Sequence, residues 1–142
     1  MNVLFSPEFE NGFLNEEYFQ DLPYFNEFQI DMLLEFVESV EQGLPLKGKN
    51  KTSWQDNHQQ EIAGSEWYKK GQCWHYHSGP YQTDEPNCYT INLAWNINGL
   101  TSSAVLHYQK LTENDIYILA YSPKHIPFPK PMENNPIKNR TT

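Results

Sequence analysis

The chain is predicted to be an α+β protein with N-terminal helices packed on a small twisted antiparallel sheet. Three observations carry this. Apolar residues recur at helical spacing in residues 27–42, alternation of period two takes over after residue 72, and turn signals separate the alternating stretches. A length of 142 residues and an aromatic fraction of 15% provide enough large apolar side chains for one core.

Residues 1–25 mix rings with acids, and Asn15 is placed to cap a short helix over 16–22, ahead of Pro23. The next helix is better marked. Asn26 stands at its start, Ile30, Leu33, Phe36, Val37 and Val40 share a face, and Gly43 ends it. Residues 44–54 read as a loop carrying Lys47, Lys49 and Lys51, and a second helix is expected over 59–69, weakened by Gly64. Trp74 and Tyr76 then alternate with Cys73, His75 and His77 up to the break at Gly79-Pro80. Alternation of Tyr89, Ile91, Leu93 and Trp95 predicts another strand, joined through an Asn98-Gly99 hairpin turn to a strand over 102–110. A turn at 112–115 leads to a last strand over 116–122, ended by Pro123. The expected division is an acidic, aromatic helical region at 1–43, a core at 44–129 and a flexible tail at 130–142.

Charge is distributed unevenly. Residues 1–41 hold ten acids and no Lys or Arg, whereas the remaining residues hold eight acids and ten bases, so the formal net charge of -8 belongs to the N-terminal region. Phosphate neutralisation favours basic proteins, so this balance opposes nucleic-acid binding globally and permits it locally. No basic, apolar and small-residue sequence of a signal peptide opens the chain, and no apolar run reaches a membrane-spanning length, which leads to the expectation of a cytoplasmic protein with no membrane partner. Cys73 and Cys88 are too few for a disulfide framework or a compact four-ligand metal site, so no cofactor and no metal are expected. Phosphate-loop, zinc-protease, kinase and serine-elbow patterns are absent.

Four of the five histidines fall in the strand-rich region: His75, His77, His107 and His125. His75 and His77 share a strand face, while His107 opposes them only in a register that the sequence leaves open. Histidines so placed serve equally as hydrogen-bonding members of a ring-rich sheet. Their alternative use is proton transfer. Cleavage of RNA through its 2′-hydroxyl needs one group to take that proton, one to protonate the leaving oxygen and a cation at the phosphate. His77, His107, Tyr108, Lys124 and His125 form that catalytic set. Lys47, Lys49 and Lys51 would contact phosphates, and Trp54 and Tyr81 would stack on bases, although ordinary solvated lysines and core rings account for the same residues.

The segments LPLKGKNKTSW, CWHYHSGPY, GLTSSAVLHYQKL and IYILAYSPKHIPFP together resemble bacterial toxins of the RelE/ParE-like superfamily, in particular its YafO-like branch of mRNA interferases, over roughly residues 44–129. The resemblance implies a RelE-like α+β core. It also implies a toxin of a toxin–antitoxin system that acts as a metal-independent endoribonuclease on mRNA, in some members on the ribosome, with a cognate antitoxin protein as partner. In such proteins a basic or histidine residue follows the final strand, the place held here by Lys124 and His125. Two features depart from the pattern: the chain is acidic, and its one arginine, Arg140, lies in the predicted tail. The acidic region supports a second expectation, an immunity or inhibitor protein whose carboxylates bind the basic surface of a nuclease.

Overall fold

The computed structural model describes residues 1–125 and 135–142. A strand opens the chain, β1 (Asn2–Phe5), followed by α1 (Pro7–Asn11), a single 3₁₀ turn at Leu22–Tyr24 and the long helix α2 (Glu27–Gln42). Next come β2 (Asn50–Thr52), α3 (Glu66–Lys70), β3 (Cys73–His77), β4 (Val105–Lys110), β5 (Asp115–Ser122) and α4 (Pro136–Arg140). The five strands form one sheet in the order β1-β5-β4-β3-β2, antiparallel throughout except for β1, which runs parallel to β5. The architecture is therefore α+β with a mixed sheet, where an antiparallel one was expected.

Helix α2 forms where the sequence marks it. Asn26 accepts a hydrogen bond from the Gln29 amide and the Gln29 side chain accepts one from the Asn26 amide, a reciprocal cap, and Gly43 ends the helix in the left-handed region at φ 70°. Met32, Leu33, Phe36 and Val40 pack on one face of the sheet against Tyr76, Leu106, Tyr108, Ile116, Ile118 and Tyr121. Trp54, Tyr68, Cys73, Leu119, Ala120 and Ile137 build a second cluster on the opposite face. Both sides of the sheet are thus covered, which explains why β4 and β5 carry apolar residues at successive positions. A bulge helps: Ala120 pairs with His107 and Ile118 with Tyr108, so Leu119 is the extra residue between them.

Several local expectations are corrected. Residues 44–54 are not all loop: Asn50–Thr52 pair with β3 as the outermost strand, and residues farther along the chain cover that edge through isolated bridges Leu46 to Thr90, Gly48 to Leu100 and Asn50 to Asn96. The strand expected around Ile91 and Leu93 does not form, because Asn92 and Leu93 take positive φ and Leu93 turns into the core as a single buried residue. Asn98-Gly99 is consequently a turn without a strand hairpin. Gly99 is required there by a close approach, since a Cβ would lie 2.5 Å from the Lys49 amide nitrogen. The helix expected over 59–69 shortens to α3, and the one over 16–22 is replaced by an Asn15 to Gln20 bridge and the 3₁₀ turn.

The first strand is part of the sheet, and the last helix packs against it. β1 was not anticipated; its five-residue neighbour α1 is capped by Ser6, whose hydroxyl accepts from the Phe9 amide. Within the expected flexible tail, residues 135–142 are ordered against the second cluster. Arg140 makes a bidentate pair with Asp21 at 2.7 and 3.1 Å and also donates to the Leu119 carbonyl, with both charged side chains buried. Residues 126–134, which include the end of the expected core, lie outside the described residues.

Candidate functional site

The sheet register decides the histidine geometry. His75 pairs directly with His107 across β3 and β4, and Lys51 pairs with His75 from the other side. Cross-strand partners share a face, so Lys51, His75 and His107 stand in a row on the face opposite α2, with His77 two residues farther along β3. His125 joins them just beyond β5, where its amide donates to the Ser103 carbonyl at 2.6 Å. Its ring stacks on His75 at 4.9 Å between centroids and meets His77 edge-on at 5.5 Å. The His75 and His77 rings are 5.5 Å apart, and those of His75 and His107 6.4 Å.

Hydroxyls and carbonyls orient the rings. Ser53 Oγ is 2.9 Å from His75 Nδ1, His77 Nδ1 is 2.9 Å from the Ser102 carbonyl, and His107 Nε2 is 2.7 Å from Ser122 Oγ. Among the described residues, Nδ1 of His107 and Nδ1 of His125 are buried ring nitrogens without a hydrogen-bond partner. Phe19, from the N-terminal arm, closes over His107 at 6.1 Å.

Burial controls the electrostatics. Loss of water lowers His77 to about 4, where Lys49 and Lys51 add to the effect. His125 also falls to about 4 through burial, helped by His77, Lys49 and Lys51, and His107 falls to about 3 through burial and its histidine neighbours. His75 is pushed well below the ordinary range by burial first and then by His125, His77, His107 and Lys51. Burial likewise lowers Lys49, and Lys51 to about 8. All four imidazoles are therefore neutral at pH 7, each with one lone pair and one N–H.

The residues singled out from sequence divide into two groups. His77, His107 and His125 converge, with Lys49 and Lys51 beside them. Tyr108 does not join them, because strand alternation sends it to the α2 face, where its hydroxyl donates to Asn50 Oδ1 at 2.7 Å. Lys124 is exposed and paired with Glu17 at 3.1 Å, and Lys47 is exposed at the end of the lysine row. Trp54 is a core ring set edge-on to Trp74 at 6.4 Å, and the Tyr81 hydroxyl donates to the His77 carbonyl and lies 3.2 Å from the Tyr76 phenolic oxygen. Trp54 is buried, and Tyr81 is half-buried with its hydroxyl engaged. Sequence inspection missed Ser53, Ser102 and Ser122 as the groups that orient the rings, since serines carry no periodic signal.

Among the described residues, no group of three or more His, Cys, Asp or Glu side chains is arranged to hold a metal ion, and no helix is long and apolar enough to cross a membrane. Cys73 is a buried free thiol whose pKa is raised to about 12 by burial, which makes it a poor nucleophile; Cys88 is free and exposed. A separate groove of about 580 Å³ is lined by Pro7, Glu8, Phe13, Asp21, Pro136 and Arg140 among others. Its arginine is already engaged by Asp21, so the groove lacks the row of cations found beside the histidines. Comparison of the chain with protein-family models, curated proteins and solved structures found no match.

Proposed function

We propose that the chain is a metal-independent endoribonuclease acting on mRNA, the toxin of a toxin–antitoxin system, with a RelE-like core. The observation that carries this is the convergence of His75, His77, His107 and His125 from three separated segments beside Lys49 and Lys51 on one sheet face. His77 and His125 are the proton-transfer pair in this reading, as they are the histidines that feel both lysine charges. One neutral imidazole accepts the 2′-hydroxyl proton, and the other, protonated once a phosphate is beside it, donates to the leaving 5′-oxygen. Lys49 and Lys51 balance the phosphate charge. His75, in ring contact with both His77 and His125, and His107, opposite it on β4, act by positioning this pair. A translating extract programmed with a defined mRNA tests the proposal: the intact protein cleaves the message, and His77→Gln and His125→Gln, checked to be folded, lose at least about 10²-fold in rate. Equal cleavage by both variants removes the histidines from the mechanism.

A second reading, the acidic inhibitor, draws on the outer face of α2. Glu27, Asp31, Glu35, Glu38 and Glu41 lie there around the exposed Phe28 and Leu34, and none of these acids has an ion-pair partner among the described residues. Stoichiometric inhibition of a basic nuclease, with no RNA cleavage by the protein itself, selects this reading instead.

A further inference from the structure

We infer that His77, His125, Lys49 and Lys51 form a proton-coupled oxyanion site, in which a phosphate-type group seats against the lysines and is accompanied by proton uptake onto the His77 and His125 imidazoles. The inference shares its site with the ribonuclease reading and rests on that reading's placement of phosphate, but it requires no bond to be cleaved.

Three features support it. First, the imidazoles carry unused hydrogen-bonding capacity. His107 is 6% exposed, yet among the described residues its Nδ1 has no partner, and the buried Nδ1 of His125 has none either. Polar atoms in that position cost stability unless something supplies the missing bond, and a tetrahedral oxyanion offers several acceptors at once.

Second, the groups facing the rings give a positive field in which the one described carboxylate is Asp56, beside Lys51. β2 and the residue run before it contribute Lys51 and Lys49, β3 contributes His75 and His77, β4 contributes His107, β5 contributes the neutral Ala120 and Ser122, and the N-terminal arm contributes the Phe19 ring. Asp56 acts on Lys51 and on none of the histidines. A bound anion is the complement of such a surface.

Third, the site has an accessible side. His125 and Lys49 are half-buried, whereas His75, His77, His107 and Lys51 are buried, so solvent is nearest the site at His125 and Lys49, and a ligand would enter there.

The coupling follows from electrostatics. Lys49 and Lys51 disfavour charge on His77 and His125, and burial disfavours it further. An oxyanion within hydrogen-bond reach offsets the lysine charge and favours the imidazolium forms. Proton binding and anion binding then strengthen each other by linkage. The shared ligand chemistry is a phosphate-like oxyanion, whether an RNA phosphodiester or a small free ion.

Calorimetric titration with two probes that do not themselves titrate near neutrality distinguishes these sources: sulfate, and a short oligodeoxythymidine that cannot be cleaved through a 2′-hydroxyl. Each is measured at about pH 6 in two buffers of different ionisation enthalpy. The expected result is saturable binding with buffer-dependent heat, corresponding to roughly one proton taken up, and an affinity that falls by up to about tenfold per pH unit as pH rises. Binding of the oligonucleotide alone assigns the site to phosphodiesters, and binding of sulfate as well assigns it to small oxyanions too. In the intact protein, imidazole nitrogen NMR signals of His77 and His125 shift towards the protonated form on addition of the ligand, a readout independent of any variant. His125→Gln reduces the proton count. Absence of saturable binding by both probes, or binding with no proton uptake, overturns the inference. Proton-linked binding without RNA cleavage supports it and removes the ribonuclease proposal; RNA cleavage without proton-linked binding does the reverse.

Discussion

His75 stands directly opposite His107 across the antiparallel pair of β3 and β4, and the stacking of His125 on His75 turns that cross-strand pair into a buried cluster of imidazoles. Each ring is held neutral by its surroundings, so the cluster couples the stability of this face to pH.

That coupling has a definite sign. His77, His107 and His125 titrate near 4, 3 and 4 in the folded protein, with His75 also well below its ordinary value, whereas all four return to about 6.5 in an unfolded chain. Between these values the unfolded state binds more protons, so stability is present above about pH 6.5 and is lost as pH falls towards 3–4. Urea unfolding at pH 5 should show uptake of roughly four protons on unfolding. A flat midpoint between pH 7 and 4 is incompatible with buried neutral imidazoles.

Tyr108→Phe separates structure from activity. The substitution leaves Asn50 Oδ1 without the Tyr108 hydroxyl in a fully buried position, and we expect a loss of about 1–3 kcal/mol in chemical denaturation. RNA cleavage and oxyanion binding should be unchanged at a temperature where the variant is folded, because Tyr108 lies on the α2 face.

Asp21→Asn should be more damaging. It leaves the Arg140 guanidinium buried without its counter-charge and weakens the acceptor for the Leu14 amide, which lies 3.0 Å from Asp21 Oδ2. A buried charge deprived of its partner costs about 3–5 kcal/mol. Denaturant midpoints of the single variant and of the double variant Asp21→Asn/Arg140→Met measure the pair; the double variant should recover part of the loss.

Gly48→Ala tests how closely the lysine-bearing edge approaches its neighbour. A Cβ at this position would meet the His77 carbonyl oxygen at 1.9 Å, so the segment holding Lys47 and Lys49 has to move away from β3. Weaker sulfate binding together with a lower thermal midpoint is expected. Retention of both would mean that the edge yields at little cost.

Local sequence was enough to identify α2 by its three-to-four spacing, β3 by its alternation, and β4 and β5 as short runs bounded by turn signals, both of whose faces are buried. It could not show β1, since four residues of mixed exposure become a strand only through β5, more than a hundred positions away. Nor could it place Leu93, whose alternating neighbours suggest a strand while the residue itself plugs the core from a turn. At the candidate site, the shared face of His75 and His77 was legible from spacing, but the register with His107 depends on long-range pairing. The bulge at Leu119 then shifts β5, so alternation alone could not have aligned its two halves with β4. Arg140 was read as part of a tail because its carboxylate partner, Asp21, lies at the other end of the sequence.

The parallel pairing of β1 with β5 also governs when the protein can be completed. Asn2 meets Asp115 and Phe5 meets Ile118, so the first strand has no partner until β5, more than a hundred residues later, has left the ribosome. During synthesis the acidic, ring-rich leading segment must wait unpaired while α2 and the local β3–β4–β5 pairings become available. Closing the sheet at β1 is a long-range event with a loop-closure cost that local pairings do not carry, which places it late in folding and makes the nascent chain most exposed to misassociation before β5 is translated.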